Sequence, residues 1–253
     1  KMAAPFREEP PMPHRGTVHR PVRPLVAWRA LRVLIADPER TDQVFVIIRA
    51  LSGNSLERSF RRILADPVAV RTLDPERSLV DTLSDLPRLR ALPDGTLGRE
   101  YARFMDEQGI TARGLIDASI EGSGDDVQFL DPRAQRLGER LRDMHDLWHV
   151  AAGYNRDLLG EAALLAFTYA QTRNRGIGFI ALVGAFQLWR FGLKDAAGVV
   201  RDAFRRGRRA AFLPGADWEA LLARPLPQVR AELGLGEPPV YTPLFNQRAA
   251  QPA

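Results

Sequence analysis

A chain of 253 residues, 45% hydrophobic and 26% charged, is long enough to bury a core of its own. It has no cysteine, which excludes disulfides and thiolate metal sites and fits a reducing compartment. The formal net charge of +5 is carried almost wholly by arginine, a bias that goes with a GC-rich genome, so no nucleic-acid partner is expected, and the same charge fits an anionic membrane surface.

Residues 1–24 carry Pro5, Pro10, Pro11, Pro13, Pro21 and Pro24 and read as an extended tail, with no secretion signal or transit peptide expected. From 25 to 240 the periodicity is helical, which predicts a single all-α, multi-helix domain, with 241–253 as a C-terminal tail. Val26–Ala36 is the first expected helix. Pro38 opens a second that runs to Leu51. Asn54 with Glu57 opens a third, ended at Asp66-Pro67. Asp74-Pro75 opens a short helix through Leu83, and Pro87, Pro93 and Asp94-Gly95 predict an irregular stretch. Thr96 is the expected cap of a helix over Leu97–Gln108, closed by Gly109. A polar loop follows at Glu121–Asp126. Asp131-Pro132 opens one helix over roughly 133–152, with Ala134, Leu137, Leu141, Met144, Trp148 and Ala151 at three- and four-residue spacing. Gly153-Tyr154-Asn155 breaks it, and a further helix covers Leu158–Thr172. Ile177–Trp189 is apolar almost all round, and Asp195–Phe212 is amphipathic. Short helices at Trp218–Leu222 and Pro227–Leu233 finish the domain. No apolar run reaches the roughly 20 residues of a membrane span.

Chemistry concentrates at Met144–His149. Two of the four histidines fall here, one helical turn apart, at the edge of the apolar stripe. Glu161 faces them if the Gly153 break turns the chain back. The expected metal ligands are therefore His145, His149, Glu161 and Asp146, with positions left open for water or substrate. Nitrogen and oxygen donors suit Zn²⁺, Fe²⁺, Mn²⁺ or Co²⁺ without choosing among them. His-Asp-Leu-Trp-His has the spacing of the zincin motif, yet aspartate is a methylene shorter than that motif's glutamate base. Asp146 therefore reads as a ligand or orienting group, although Asp146 and Glu161 remain the groups able to move a proton. HD-type phosphohydrolases need further histidines that the chain offers only in its tail, at His14 and His19.

The pattern His145-Asp146-x-x-His149-x11-Glu161 resembles the signature of the coenzyme Q biosynthesis protein four family of ubiquinone biosynthesis. Leu92–Tyr101 with Phe104-Met105-Asp106 is similar to that family's upstream block. Leu141–His149 and Leu159–Ala163 resemble its core, and Arg224–Gly234 through Pro238-Pro239 its C-terminal block. The resemblance covers roughly 25–240. The alanine- and arginine-rich composition points to a bacterial member. The resemblance implies an all-α homodimer in the bacterial cytoplasm, peripheral to the inner membrane. It further implies a metal-dependent enzyme, a decarboxylase/hydroxylase of lyase type. Its substrate would be a polyprenylated hydroxybenzoate-type quinone precursor, oxidatively decarboxylated at ring carbon 1, with other quinone-biosynthesis enzymes as partners.

Two readings compete for Ile177–Trp189: a buried central helix, or a helix whose Phe179, Leu182, Val183 and Phe186 line a groove for a prenyl chain. Arg99 and Tyr101 are candidates for holding the substrate carboxylate. The arginines at 205, 206, 208 and 209 read as a solvated helix end or as contacts for lipid head groups. The alternatives to the enzyme are a lipid-binding scaffold with a structural metal, or a zinc hydrolase.

Overall fold

The computed structural model describes residues 21–37, 40–112 and 131–244. Pro38, the loop at 121–126, and all but the inner ends of both tails lie outside the described residues. In chain order the helices are α1 (Pro24–Ala36), α2 (Thr41–Leu51), α3 (Ser55–Leu64), α4 (Pro67–Val70), α5 (Leu79–Ser84), α6 (Leu86–Arg90) and α7 (Leu97–Gln108). Then follow α8 (Pro132–Asp143), α9 (His145–Ala152), α10 (Leu158–Thr172), α11 (Arg175–Arg190), α12 (Ala196–Arg209), α13 (Trp218–Leu221) and α14 (Leu226–Glu232). Among the described residues the fold is all-α. The one β-type pairing there is an isolated bridge between Thr96 and Pro225.

The helix at the centre is α10. Leu159, Ala163, Leu164 and Phe167 are buried along it, and Trp148 of α9 meets Phe167 edge to face at 6.2 Å. Each large side chain buried in this way contributes about 1.5–3 kcal/mol. Helix α12 crosses α10 at Gly207, where a Cβ would come within 2.6 Å of the Phe167 carbonyl oxygen. Gln171 locks that crossing, donating to the Gly207 carbonyl at 2.6 Å and accepting from Leu213 N–H at 2.9 Å. A second cluster joins Phe60 and Ile63 of α3 to Ala134 and Leu137 of α8. A third joins Ala27 and Leu31 of α1, Ile47 of α2 and Phe179 of α11.

Several boundaries differ from those expected. The single helix over 133–152 is interrupted at Met144 (φ −83°, ψ 1°). Its first half packs Ala134 and Leu137 into the α3 cluster, and its second half packs Leu147, Trp148 and Ala151 into the main core. The interruption lets one apolar stripe serve two cores. Asp74 turns the chain by accepting from Glu76 N–H, and α5 starts only at Leu79, capped by Ser78. The stretch expected to be irregular around Pro87 holds α6, because proline is tolerated in a first turn and Asp85 caps it. Thr96 precedes α7, but its hydroxyl donates to the Pro93 carbonyl at 2.7 Å instead of capping.

Candidate metal centre

Two helix ends build the centre. α9 begins at His145, so His145, Asp146 and His149 fall within its first two turns. Gly153 then takes a left-handed conformation (φ +78°), with Pro238 packed where its Cβ would be. The chain reverses, and Asp157 caps α10 by accepting from Leu159 and Gly160 N–H at 3.1 and 3.2 Å. That cap places Glu161 in the first turn of α10, opposite the histidines. Its Oε2 lies 3.6 Å from His145 Nε2 and its Oε1 lies 3.4 Å from His149 Nε2. Ligand atoms of His145, Asp146 and His149 all lie within 4.8 Å of one another.

His149 is buried and held on several sides. Its Nδ1 lies 2.9 Å from the Tyr154 carbonyl oxygen. A carbonyl only accepts, so Nδ1 carries a proton and Nε2 is the nitrogen turned toward Glu161. Phe104 stacks on the ring at 5.7 Å, and His145 meets it edge-on at 4.9 Å. His149 Nε2 is buried with no hydrogen-bond partner among the described residues. At 3.4 Å from a carboxylate oxygen, Nε2 has two ways to be satisfied, by a proton of its own or by a cation lying between the two groups. Asp146 adds a further carboxylate in a buried position. This donor set of two imidazoles and two carboxylates therefore fits a divalent cation.

Burial disfavours the charged form of Glu161, but the two imidazoles outweigh it and hold this carboxyl well below its usual range. Burial likewise opposes charge on His145, and Glu161, followed by Asp146, nevertheless raises its pKa.

The other expected residues are distributed more widely. Tyr101 is fully buried in α7 with no hydrogen-bond partner for its hydroxyl among the described residues, and burial, then the charges of Asp146 and Asp143, pushes the phenol up. Arg99 is engaged elsewhere, 2.8 Å from Asp94 and donating to the Leu92 carbonyl at 2.9 Å, so it braces the loop before α7. Phe179 and Val183 pack against the α1–α2 pair, whereas Leu182 and Phe186 stand exposed beside them. Helix α11 is thus a surface helix with one buried face, and the expectation of a buried central helix is corrected. Arg206 does not point to solvent; it donates to the carbonyls of Ala152, Leu235 and Glu237.

Sequence reasoning missed three contributors. Arg156 Nε lies 3.6 Å from Glu161 Oε1, and its position in the turn before Glu161 is the signal that could have found it. Phe104 was noted only as part of a block. Arg230, which donates to Val150 and Ala151, was hidden among many arginines. Beside His149 lies a cleft of about 270 Å³, lined among others by Arg103, Phe104, Tyr154, Leu226 and Arg230.

The profile of the family described as coenzyme Q (ubiquinone) biosynthesis protein Coq4 matches residues 19–239. The mitochondrial ubiquinone biosynthesis protein COQ4 homolog of Danio rerio is 32% identical over 212 residues, covering 81% of this chain and 73% of the relative. The Homo sapiens homolog is 26% identical over 232 residues, covering 88% and 83%. A crystal structure from Nostoc punctiforme PCC 73102 superimposes with a TM-score of 0.62 at 23% identity, covering 84% of this chain and 96% of that one, and it supports the fold.

Proposed function

The chain belongs to the coenzyme Q (ubiquinone) biosynthesis protein Coq4 family, and on that premise we propose that it is a metal-dependent enzyme acting on a polyprenylated hydroxybenzoate-type precursor. The reaction is oxidative decarboxylation at ring carbon 1. The observation that carries this reading is the buried His149 Nε2, unpartnered and facing Glu161 at 3.4 Å beside His145 and Asp146.

His145, Asp146, His149 and Glu161 are the ligands in this reading. A divalent ion held by them would supply Lewis-acid charge for the negative charge that develops on the ring and its oxygen substituent. The protein's residues do the rest. Arg156, beside Glu161, offers N–H donors to an anionic ring substituent, a role for which Arg99 is poorly placed. Glu161, the most exposed of the four ligand side chains, is the group that takes or returns a proton, with Asp146 as the second. Replacing a carboxyl by a hydroxyl is a net oxidation. Molecular oxygen and a two-electron donor from outside the chain balance it, the second oxygen atom leaving as water.

A lipid-binding scaffold is the second reading, and a specific surface favours it. Leu25, Trp28 and Ile35 of α1 and Leu182, Phe186 and Trp189 of α11 are exposed, and Phe186 stacks on Trp189 at 5.9 Å. Exposed aromatic rings among Arg29, Arg32, Arg175 and Arg190 suit an anionic bilayer surface. In both readings the protein works as a bacterial homodimer on the cytoplasmic face of the inner membrane, beside other quinone-biosynthesis enzymes.

Metal analysis by native mass spectrometry, paired with His149→Ala, tests the proposal. Wild type is expected to carry one divalent ion per chain. The variant is expected to fold, to lose the ion, and to fail to support ring-carbon-1 processing in cells lacking the native protein. A folded, ion-free variant that still supports quinone synthesis overturns the catalytic reading. A variant that unfolds on losing the ion favours the scaffold with a structural metal.

A further inference from the structure

The last turn of α9 is held in an unusual way. A helix leaves its final carbonyls without intrahelical donors. Here the three carbonyls of Val150, Ala151 and Ala152 are each taken by an arginine from far along the chain. Arg230 of α14 donates through Nη2 to Val150 and through Nε to Ala151, both at 3.0 Å. Arg206 of α12 donates through Nη1 to Ala152 at 3.1 Å. The Nη2 of Arg206 reaches on to the carbonyls of Leu235 at 2.8 Å and Glu237 at 2.9 Å, and its guanidinium lies 5.2 Å from the centre of the Tyr154 ring.

These contacts surround the stretch of backbone that leads to Tyr154. Tyr154 supplies the carbonyl that accepts from His149 Nδ1–H, and its own N–H bonds back to the His149 carbonyl at 3.1 Å. The direction of the His149 Nε2 lone pair therefore depends on where the residue five positions later is held. A surface cap would not need two guanidinium groups. Burial disfavours the charge of Arg230, so its placement carries a cost that a solvated lysine would avoid.

We propose that Arg206 and Arg230 are positioning residues for the metal centre, holding the end of α9 so that Tyr154 fixes the tautomer and ring orientation of His149. The inference rests on the metal reading above and names what sets its geometry. Neither arginine touches the ion.

Arg206→Gln and Arg230→Gln test it, with Arg206→Lys and Arg230→Lys as conservative partners and Arg205→Gln as control. Arg205 is exposed and pairs with Asp202 at 3.1 Å, outside this arrangement. Two quantities are read: zinc affinity by competition with a chromophoric chelator, and the ¹⁵N signature of the His149 tautomer in chelator-treated protein. Each glutamine variant is expected to bind zinc about 10–100-fold more weakly, the range typical for groups that orient ligands. The Nδ1–H signal of His149 should give way to a tautomer mixture. The lysine variants should fold and show intermediate loss, and Arg205→Gln should match wild type. Folded arginine variants that bind zinc within twofold of wild type and keep the Nδ1–H signal overturn the proposal. If wild type itself binds no zinc, the metal reading falls, and the tautomer signal alone then decides whether the arginines orient His149.

Discussion

Around the turn between α9 and α10, polar atoms are held by partners from remote parts of the chain. On the outward sides of α1 and α11, tryptophan and phenylalanine rings stand exposed among the described residues. The first region contains Asp157, whose carboxylate accepts from Leu159, Gly160, Tyr241 and Leu244. The second contains Trp28 and Trp189, each more than half exposed. The contrast separates two kinds of design. A site that must present lone pairs in fixed directions is preorganised from within. An exposed apolar surface of this kind marks a place where something else can dock.

The sharpest way to break this contrast is to alter the preorganised end. Glu161→Gln keeps the shape but removes the charge, and it should weaken zinc affinity by at least about a hundredfold in chelator competition while leaving vesicle association unchanged. Proton competition adds a pH dependence. His145 lies above its ordinary 6.5 and must lose its proton to become a ligand, so zinc affinity should fall by about tenfold per pH unit below that raised value. Stability of the zinc-stripped protein follows from the same pair. The His145 contribution is complete below pH 6.5 and is lost as pH rises through its raised value. The Glu161 contribution is complete above pH 4.5 and is lost as pH falls through its lowered value. The stripped protein should therefore be most stable between those limits, and a Tm that rises from pH 6 to pH 8 contradicts the pairing.

The outer face is tested by the opposite substitutions. Trp28→Ser with Trp189→Ser should reduce co-sedimentation with anionic phospholipid vesicles by about tenfold for each ring, with zinc affinity unchanged. Equal binding by wild type and the double variant removes the membrane assignment from this face. The smallest effect separates two arginines. Arg99→Gln breaks an exposed pair with Asp94 and the bond to the Leu92 carbonyl and should cost about 1–2 kcal/mol, with no effect on 4-hydroxybenzoate binding. Arg156→Gln should weaken that binding by about tenfold at similar Tm, and identical behaviour of the two variants refutes the role given to Arg156.

The elements marked by local chemistry were legible in the sequence. Leu158–Thr172 and Leu97–Gln108 have the expected bounds because Asp157 and Gly109 punctuate them. The grouping of His145, Asp146 and His149 followed from helical spacing, and the approach of Glu161 from the glycine break. What stayed hidden depends on distant contacts. The interruption at Met144 leaves the apolar periodicity intact, so no local signal marks it. The sidedness of α11 is invisible because its composition is apolar all round and only packing chooses the covered face. Arg206 and Arg230 could not be told from the many other arginines, since their partners are backbone carbonyls that carry no sequence signature.

The segment at 236–244 lies across the turn that places Glu161. Tyr241 accepts from Asn155 N–H and donates to Asp157, and Leu158 N–H donates to the Leu244 carbonyl, across 86 residues of chain in the Asn155–Tyr241 case. During synthesis the histidines and Glu161 therefore emerge well before the groups that lock them. A nascent chain that has not yet reached Pro238 carries every proposed ligand but lacks the clasp, and closing so long a loop is a late event in folding. Cation capture in the finished geometry therefore waits for residues 236–244, and a chain stalled before Pro238 should exchange its ion freely.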